Sequence, residues 1–258
     1  MNESWKTFDA VASHYDVVRP DYPVAIYESI ESFTGLSTPR VLEVGIGSGQ
    51  ATRQMVARGW DVVGVEPGSD LIALAAERVG TTQPVTLVEA TFEHAELPGK
   101  DFDVVAAATS WHWVDPAIGY SKAARSLRAP GTLALWWNAH VTTPGHVNWD
   151  PIRAVYERVA PELADLARLT PDRPDYDPAR EVAASGHFTD VRVETFDFSV
   201  AYNAEQFVML TGTYASHKDL DPATRAQLDE SLAEAIAALP DGVVHKPYEG
   251  YLVLARKM

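Results

Sequence analysis

The chain has 258 residues, of which 46% are apolar, so it can bury a core as a single domain over residues 1–258. Its 21 lysines and arginines against 36 aspartates and glutamates give a net charge of −15, which argues against a nucleic-acid partner because binding to a phosphate backbone relies on Lys and Arg contacts. Cysteine is absent, which excludes a disulfide framework, a cysteine nucleophile and a cysteine-ligated metal, and fits a cytoplasmic location.

A regular alternation of strands and helices begins near residue 40, after a segment, 1–32, whose helical rhythm is broken by Pro20 and Pro23. Short apolar runs predict buried strands and the segments between them predict helices. The predicted strands are 40–44, 60–65, 85–89, 102–107 and 132–138, and the predicted helices are 49–58, 69–79 (with Ser69 as its N-cap) and 116–127. This alternation over short connections predicts parallel βαβ units in a doubly wound α/β sheet.

The rhythm changes after about residue 140. Helices are predicted over 148–169, 204–210 and 222–239, and strands over 189–200 and 243–256. A late strand pair that closes the sheet, with helices inserted between, predicts one core with a helical cap. No apolar run approaches the ~20 residues that a membrane helix needs, so no membrane partner is expected.

Three glycines follow the first predicted strand, at positions 45, 47 and 49. Glycines at a strand end let the backbone turn tightly and approach a ligand, with the next helix N-terminus facing it. The dinucleotide fingerprint G-x-G-x-x-G places its third glycine where this chain has Gln50. The spacing is therefore a poor match to a pyrophosphate-binding turn.

A carboxylate, Glu66, ends the second predicted strand. A carboxylate at this position can accept both ribose hydroxyls of a nucleoside. NAD enzymes and methyltransferases share the feature, so Glu66 indicates a nucleoside ligand without separating these two classes.

Taken in order, the motifs resemble those of the class I S-adenosylmethionine-dependent methyltransferases with a type 11-like domain, and among them the small-molecule branch that includes trans-aconitate methyltransferases. The segments that carry the resemblance are 8–23, 42–49 (LEVGIGSG), 65–67 (VEP), 91–105 and 110–115 (SWHWVD). The resemblance implies a seven-stranded, mainly parallel, Rossmann-like sheet with a cofactor-binding core over 33–140 and a helical lid from 1–30 and parts of 141–240.

The same resemblance implies S-adenosylmethionine as cofactor, S-adenosylhomocysteine as product, and no metal. It assigns cofactor contacts to Tyr15, Arg19, Glu43, Gly45, Ile46, Gly47, Glu66, Pro67, Thr91, Phe92 and Ala108. Glu43 would hold the methionine ammonium directly or through water, and Glu66 would hold the ribose. Arg19 either pairs with the methionine carboxylate, which suits a bidentate guanidinium, or faces solvent.

Aromatic and basic side chains near the strand ends are candidates for an acceptor site. Those expected to bind substrate are Trp111, His112, Trp113, Trp137 and Tyr214. Aromatic walls suit a flat or apolar acceptor and favour a sulfonium by cation–π attraction, whereas Trp136 is expected in the core. Lys246 could pair with an anionic acceptor or be solvated.

His112 has two open interpretations, a general base for a hydroxyl acceptor or a hydrogen-bonded structural residue. A carboxylate acceptor requires no base, because positioning alone supplies much of the rate. His112 and Asp115 have metal-ligand spacing, but without a third partner no metal is expected.

The sequence thus predicts an enzyme that transfers a methyl group from S-adenosylmethionine to a small molecule. O-methylation, with a carboxylate among the candidate acceptors, is favoured over N- or C-methylation. The alternatives are a nucleotide-dependent oxidoreductase and a non-catalytic regulatory protein that binds the cofactor.

Overall fold

The computed structural model describes residues 18–79, 85–140, 149–164 and 176–258. One sheet of seven strands runs in the order β3-β2-β1-β4-β5-β7-β6. The strands are β1 Arg40–Val44, β2 Asp61–Glu66, β3 Thr86–Glu89, β4 Phe102–Ala108, β5 Leu127–His140, β6 Phe188–Asn203 and β7 Val243–Lys257. Strands β1 to β5 are parallel, whereas β7 runs antiparallel to both β5 and β6. The predicted α/β, mainly parallel fold class is confirmed.

Nine helices belong to the described residues. They are α1 Val24–Thr34, α2 Gln50–Ala57, α3 Ser69–Val79, α4 Pro116–Ser126, α5 Asp150–Val159, α6 Pro178–Ala184, α7 Ala204–Gly212, α8 Ala215–Lys218 and α9 Pro222–Ala237. Short 3₁₀ turns cover Trp111–Trp113 and Pro161–Leu163. None of these helices is both long and apolar enough to cross a membrane.

The start of α4, of α6 and of α9 is fixed by the same Asp-Pro pair. In each, the aspartate side chain accepts a hydrogen bond from a backbone N–H of the first turn, and the proline occupies the first helical position, where no N–H is needed. Ser69 is different, because it is the first residue of α3 rather than its cap. Strand β5 begins at Leu127, directly after α4 and earlier than predicted, and pairs there with Phe102 of β4.

Two layers of core cover the two faces of the sheet, because successive strand residues point to opposite sides. In β1, Leu42 packs with the layer that includes Phe102 and Leu133, and Val41 packs with the layer of α1 and Trp60. Strands buried on both faces read as continuous apolar runs, which is why they were visible in the sequence.

A third cluster lies in the cap. Leu228, Leu232 and Ile236 form one stripe of α9 at a four-residue spacing, and they share a core with α5, α7 and Tyr248. The division into a cofactor-binding core over 33–140 and a helical lid stays a prediction. Tyr15 lies outside the described residues.

Candidate functional site

The turn after β1 depends on glycine at several positions. Gly45, Gly47 and Gly49 have φ values of 70°, 54° and 84°, in the left-handed region that favours glycine. A Cβ added to Gly45 would lie 2.5 Å from the Cβ of Ser110. The Ser110 hydroxyl donates a hydrogen bond to the Val44 carbonyl oxygen. The turn is therefore held against the loop that follows β4.

The Glu66 carboxylate is fixed by two loops. Its Oε2 accepts a hydrogen bond from the Gly47 N–H at 3.0 Å, and its Oε1 accepts one from the Gly68 N–H at 3.1 Å. The residue is buried, with 6% exposure. These two backbone donors fix the orientation of the carboxylate beside the glycine turn.

Glu43 lies deeper, with 1% exposure. The Thr52 hydroxyl donates to its Oε2 at 2.6 Å, whereas its Oε1 finds no hydrogen-bond partner among the described residues. Burial raises the pKa of Glu43 to about 8, against the opposing effect of the Thr52 hydrogen bond. A buried acceptor without a donor is rare, so an ammonium or a water molecule suits this atom.

The predicted adenine side contains both half-buried and core residues. The Thr91 hydroxyl is hydrogen-bonded to His94 Nδ1 at 2.9 Å. Phe92 is 3% exposed and packs on Trp111 with ring centroids 5.9 Å apart. Trp111 also packs on Tyr120 with ring centroids 5.3 Å apart and belongs to a core cluster, and its place on the acceptor wall stays a prediction.

Three smaller cofactor candidates surround the turn. Ile46 covers Gly64 closely, since a Cβ on Gly64 would lie 2.5 Å from Ile46 Cδ1. Pro67 follows Glu66 and Ala108 ends β4, and both are half-buried. Their contacts with a cofactor stay predictions.

His112 lies among aromatic rings after β4. The Trp137 indole Nε1–H donates to His112 Nδ1 at 3.4 Å. An indole N–H can only donate, so Nδ1 accepts and the neutral imidazole carries its proton on Nε2. Trp113 is 37% exposed, and its ring centroid lies 4.8 Å from that of the His112 imidazole. The ring centroids of Tyr176 and Trp137 are 5.5 Å apart. Tyr176 was not predicted, because a lone tyrosine in a segment rich in proline and aspartate gives no signal of a site.

The segment before α1 is tied to the glycine turn. Gln50 Nε2 donates to the Pro20 carbonyl oxygen at 2.8 Å, and Asn138 Nδ2 donates to the same oxygen at 3.2 Å. The Tyr22 hydroxyl is hydrogen-bonded to Thr109 Oγ1 at 2.9 Å. These residues were not predicted, although each of Gln50, Thr109 and Asn138 lies at or near the carboxyl end of a strand.

Arg19 extends from this segment into the cap. Its Nε donates to Thr213 Oγ1 at 3.0 Å, and its Cζ lies 4.8 Å from the centroid of the Tyr214 ring. The guanidinium is thus directed to the cap and is half-buried, and its contact with the methionine carboxylate stays a prediction. Trp136 is fully buried against Tyr22, which confirms its predicted core position.

Lys246 is buried rather than solvated, with 4% exposure. Its Nζ lies 3.9 Å from the ring centroid of Tyr248 and 5.5 Å from that of Trp149. Burial and the positive charge of Arg19 lower the pKa of Lys246 to about 7. Within the described residues no group of three His, Asp or Glu side chains could hold a metal ion.

Comparison with known proteins points to one family. Residues 42–135 match the methyltransferase domain family. An uncharacterized methyltransferase of Mycobacterium tuberculosis is 37% identical over 132 residues, which cover 51% of this chain, and the match spans about half, 52%, of that relative. An uncharacterized methyltransferase of Schizosaccharomyces pombe is 24% identical over 244 residues, or 91% of this chain and 89% of the relative.

Solved structures share the fold. A proposed type II methyltransferase from Anaeromyxobacter dehalogenans superposes with a TM-score of 0.70 at 21% identity, covering 92% of this chain and 97% of that chain. A phosphoethanolamine N-methyltransferase of Haemonchus contortus, solved with S-adenosyl-L-methionine, has a TM-score of 0.53 at 16% identity, covering 96% and 57%. Membership of the trans-aconitate-like branch stays a prediction. Residues 42–135 are therefore similar to the methyltransferase domain family, and the chain shares the seven-stranded sheet fold of these solved methyltransferases.

Proposed function

We propose that the chain transfers the methyl group of S-adenosylmethionine to an oxygen atom of a small molecule, and that the acceptor binds between the carboxyl edge of the sheet and the cap. The Glu66 carboxylate carries the proposal, because it is buried beside the glycine turn and oriented by the N–H groups of Gly47 and Gly68. This arrangement suits the two hydroxyls of a ribose.

The residues present fit the cofactor at its methionine end as well. The Oε1 atom of Glu43 is a buried acceptor that lacks a donor among the described side chains, and the methionine ammonium would supply one. The backbone of Gly45 and Gly47 would pass beneath the same group, and Thr91, Phe92, Pro67 and Ala108 would surround the adenine and the methionine end. Bound S-adenosylmethionine supplies an electrophilic methyl group on a sulfonium.

The acceptor would meet that methyl group beside His112 and Trp137. Because Nδ1 of His112 accepts from Trp137, the Nε2–H can donate to an acceptor oxygen and hold it in line with the methyl group. Trp113 and Tyr176 extend the aromatic wall, with Tyr214 on the cap side. A carboxylate oxygen is already a nucleophile, so this arrangement suits O-methylation of a carboxylate without a base.

Cofactor binding is tested with S-adenosylhomocysteine and NADH in a thermal-shift assay, supported by calorimetry. A ligand at 100 times its dissociation constant stabilises the fold by about 2.7 kcal/mol. S-adenosylhomocysteine should stabilise the wild type and NADH should not. Glu66→Ala should abolish the stabilisation, while the exposed Glu230→Ala on α9 should keep it. Stabilisation by NADH alone would favour the oxidoreductase alternative.

Methyl transfer is tested by screening small carboxylic acids, phenols and amines with radiolabelled S-adenosylmethionine. Labelled methyl esters or ethers would support O-methylation, and labelled amines would refute it. If S-adenosylhomocysteine binds and no acceptor is labelled, the non-catalytic regulatory protein becomes the better explanation.

A further inference from the structure

The cap contains a buried cation that the cofactor does not use. Lys246 is 4% exposed, and across the described residues its ammonium makes no hydrogen bond and no ion pair. Its contacts are the ring faces of Tyr248 and Trp149, at 3.9 and 5.5 Å. A buried charge is costly unless it is paired, so a fold that retains this lysine gains from a partner outside the chain.

A second cation, Arg19, lies on the same side of the cap. The Tyr202 hydroxyl is hydrogen-bonded to Val18, the residue before Arg19, and lies 3.3 Å from the hydroxyl of Tyr248, whose ring contacts Lys246. The positive charge of Arg19 acts on Lys246 and disfavours its ammonium form. The Arg19 side chain is held in place by Thr213 and by the face of Tyr214. Lys246 is buried and Arg19 is half-buried, so their like charges repel each other, and an anion beside Lys246 would reduce that repulsion and offset the desolvation cost of the lysine.

Hydroxyl groups complete this region, which we call the cationic pocket and define by Arg19, Lys246, Tyr202 and Tyr248. The Tyr202 hydroxyl donates to the Val18 carbonyl oxygen at 3.0 Å and lies 3.3 Å from the Tyr248 hydroxyl. Burial raises the pKa of both tyrosines, so they stay protonated near neutral pH. The Tyr202 proton is donated to Val18, so the two hydroxyls contribute neutral oxygen atoms to this region and, unlike carboxylates, add no negative charge that would repel an oxyanion.

The cationic pocket adjoins the proposed methyl-transfer site. The Arg19 carbonyl oxygen accepts a hydrogen bond from Gln50, the first residue of α2 after the glycine turn. Lys246 is in β7 two residues before Tyr248, which pairs with His140 at the carboxyl end of β5. The pocket therefore lies beyond the same sheet edge as the cofactor turn, on the side of the cap.

We propose that the cationic pocket binds an anionic oxygen group, a carboxylate or a phosphate, of the methyl acceptor, with Lys246 and Arg19 as its cations. That this anion is part of the methyl acceptor rests on the proposed function. The group held here is an anchor, and the oxygen that receives the methyl group lies at the other end of the acceptor, beside His112. An acceptor with two separated polar groups, one of them anionic, is the class that fits.

Anion binding is measured directly with benzoate, its neutral analogue benzamide, and inorganic phosphate, each in the presence and absence of S-adenosylhomocysteine at constant ionic strength. The wild type should bind benzoate or phosphate and discriminate against benzamide, and the preferred anion identifies the group. Lys246→Met should bind that anion about tenfold more weakly or worse, because it loses a charge-assisted hydrogen bond. The exposed Lys100→Met should bind like the wild type.

The variants also report on folding. Lys246→Met removes a buried charge at similar volume, so it should be at least as stable as the wild type, and its affinity for S-adenosylhomocysteine should be unchanged. Lys246→Gln, which keeps a polar side chain, should lose anion binding in the same way. If both variants bind benzoate and phosphate like the wild type, or if the wild type prefers neither anion over benzamide, the proposal is wrong. If the wild type does not bind S-adenosylhomocysteine, the proposed function is wrong. The anion measurements made without S-adenosylhomocysteine test the cationic pocket separately.

Discussion

Replacing Gly45 by alanine tests whether the glycine turn is fixed by close packing as well as by backbone conformation. Gly45 has a φ of 70°, and an added Cβ would lie 2.5 Å from the Cβ of Ser110 and 2.9 Å from its Oγ. Gly35, at the C-terminus of α1, offers a matched control. Its φ is 74°, and a Cβ there would meet no atom within 4 Å.

The two variants should differ by the steric contribution alone. A left-handed backbone costs a non-glycine residue about 1–2 kcal/mol, which applies to both positions. Crowding of a packed site adds about 1–3 kcal/mol at Gly45. We therefore expect Gly45→Ala to lower the free energy of unfolding by about 2–5 kcal/mol, and Gly35→Ala by about 1–2 kcal/mol.

Urea unfolding of the two single variants, and of a double-mutant cycle with Ser110→Gly, measures these free energies. Removing the Ser110 Cβ should relieve the crowding, so Gly45→Ala should cost less in that background than in the wild type. The reasoning fails if Gly45→Ala costs no more than Gly35→Ala, or if the coupling energy between positions 45 and 110 is zero within error.

Two further predictions concern the buried acid and the histidine. The folded-state pKa of Glu43, about 8, lies above its unfolded value of about 4.5, so the stabilisation from its protonated form is complete below pH 4.5 and is lost as the pH rises through 8. The free energy of unfolding should therefore fall by up to about 1.4 kcal/mol per pH unit in the wild type, and Glu43→Gln should flatten this fall. Denaturant unfolding at a series of pH values measures it, and parallel profiles for the two proteins would contradict the raised pKa of Glu43. If the Nε2–H of His112 donates a hydrogen bond to the acceptor, His112→Gln, which keeps an N–H donor, should retain most turnover, and His112→Ala should lose it. If His112 is a general base, both variants should lose turnover equally, by about 10²–10⁴-fold.

Much of the sheet could be predicted from the sequence because its strands are buried on both faces. Strands such as β1 and β4 read as apolar runs, and glycines or acidic residues mark their ends. Helices with a local start signal were also predicted closely, as for α9 after Asp221. Helix α6 was missed, since seven residues are too few to show a helical period.

In the candidate site, too, the residues with local signals in the sequence were predicted and those that depend on packing were not. Gly45 and Glu66 were predicted because their roles depend on local backbone geometry at a strand end. The structure adds that one turn of 3₁₀ helix buries Trp111 in a core cluster while Trp113, two residues later, stays 37% exposed. No sequence pattern distinguishes those two directions.

By itself, the sequence determined the order of the strands, the glycine turn and the carboxylate that ends β2, since each is encoded by residues close together in the chain. Only the tertiary structure decided where the cations point. Arg19 and Thr213 are far apart in sequence and meet through the cap, and Lys246 is buried because β7 carries it beneath Trp149. Such contacts depend on how distant segments pack together. The net charge of −15, which argued against a nucleic-acid partner, therefore gave no indication of the cationic pocket in the cap.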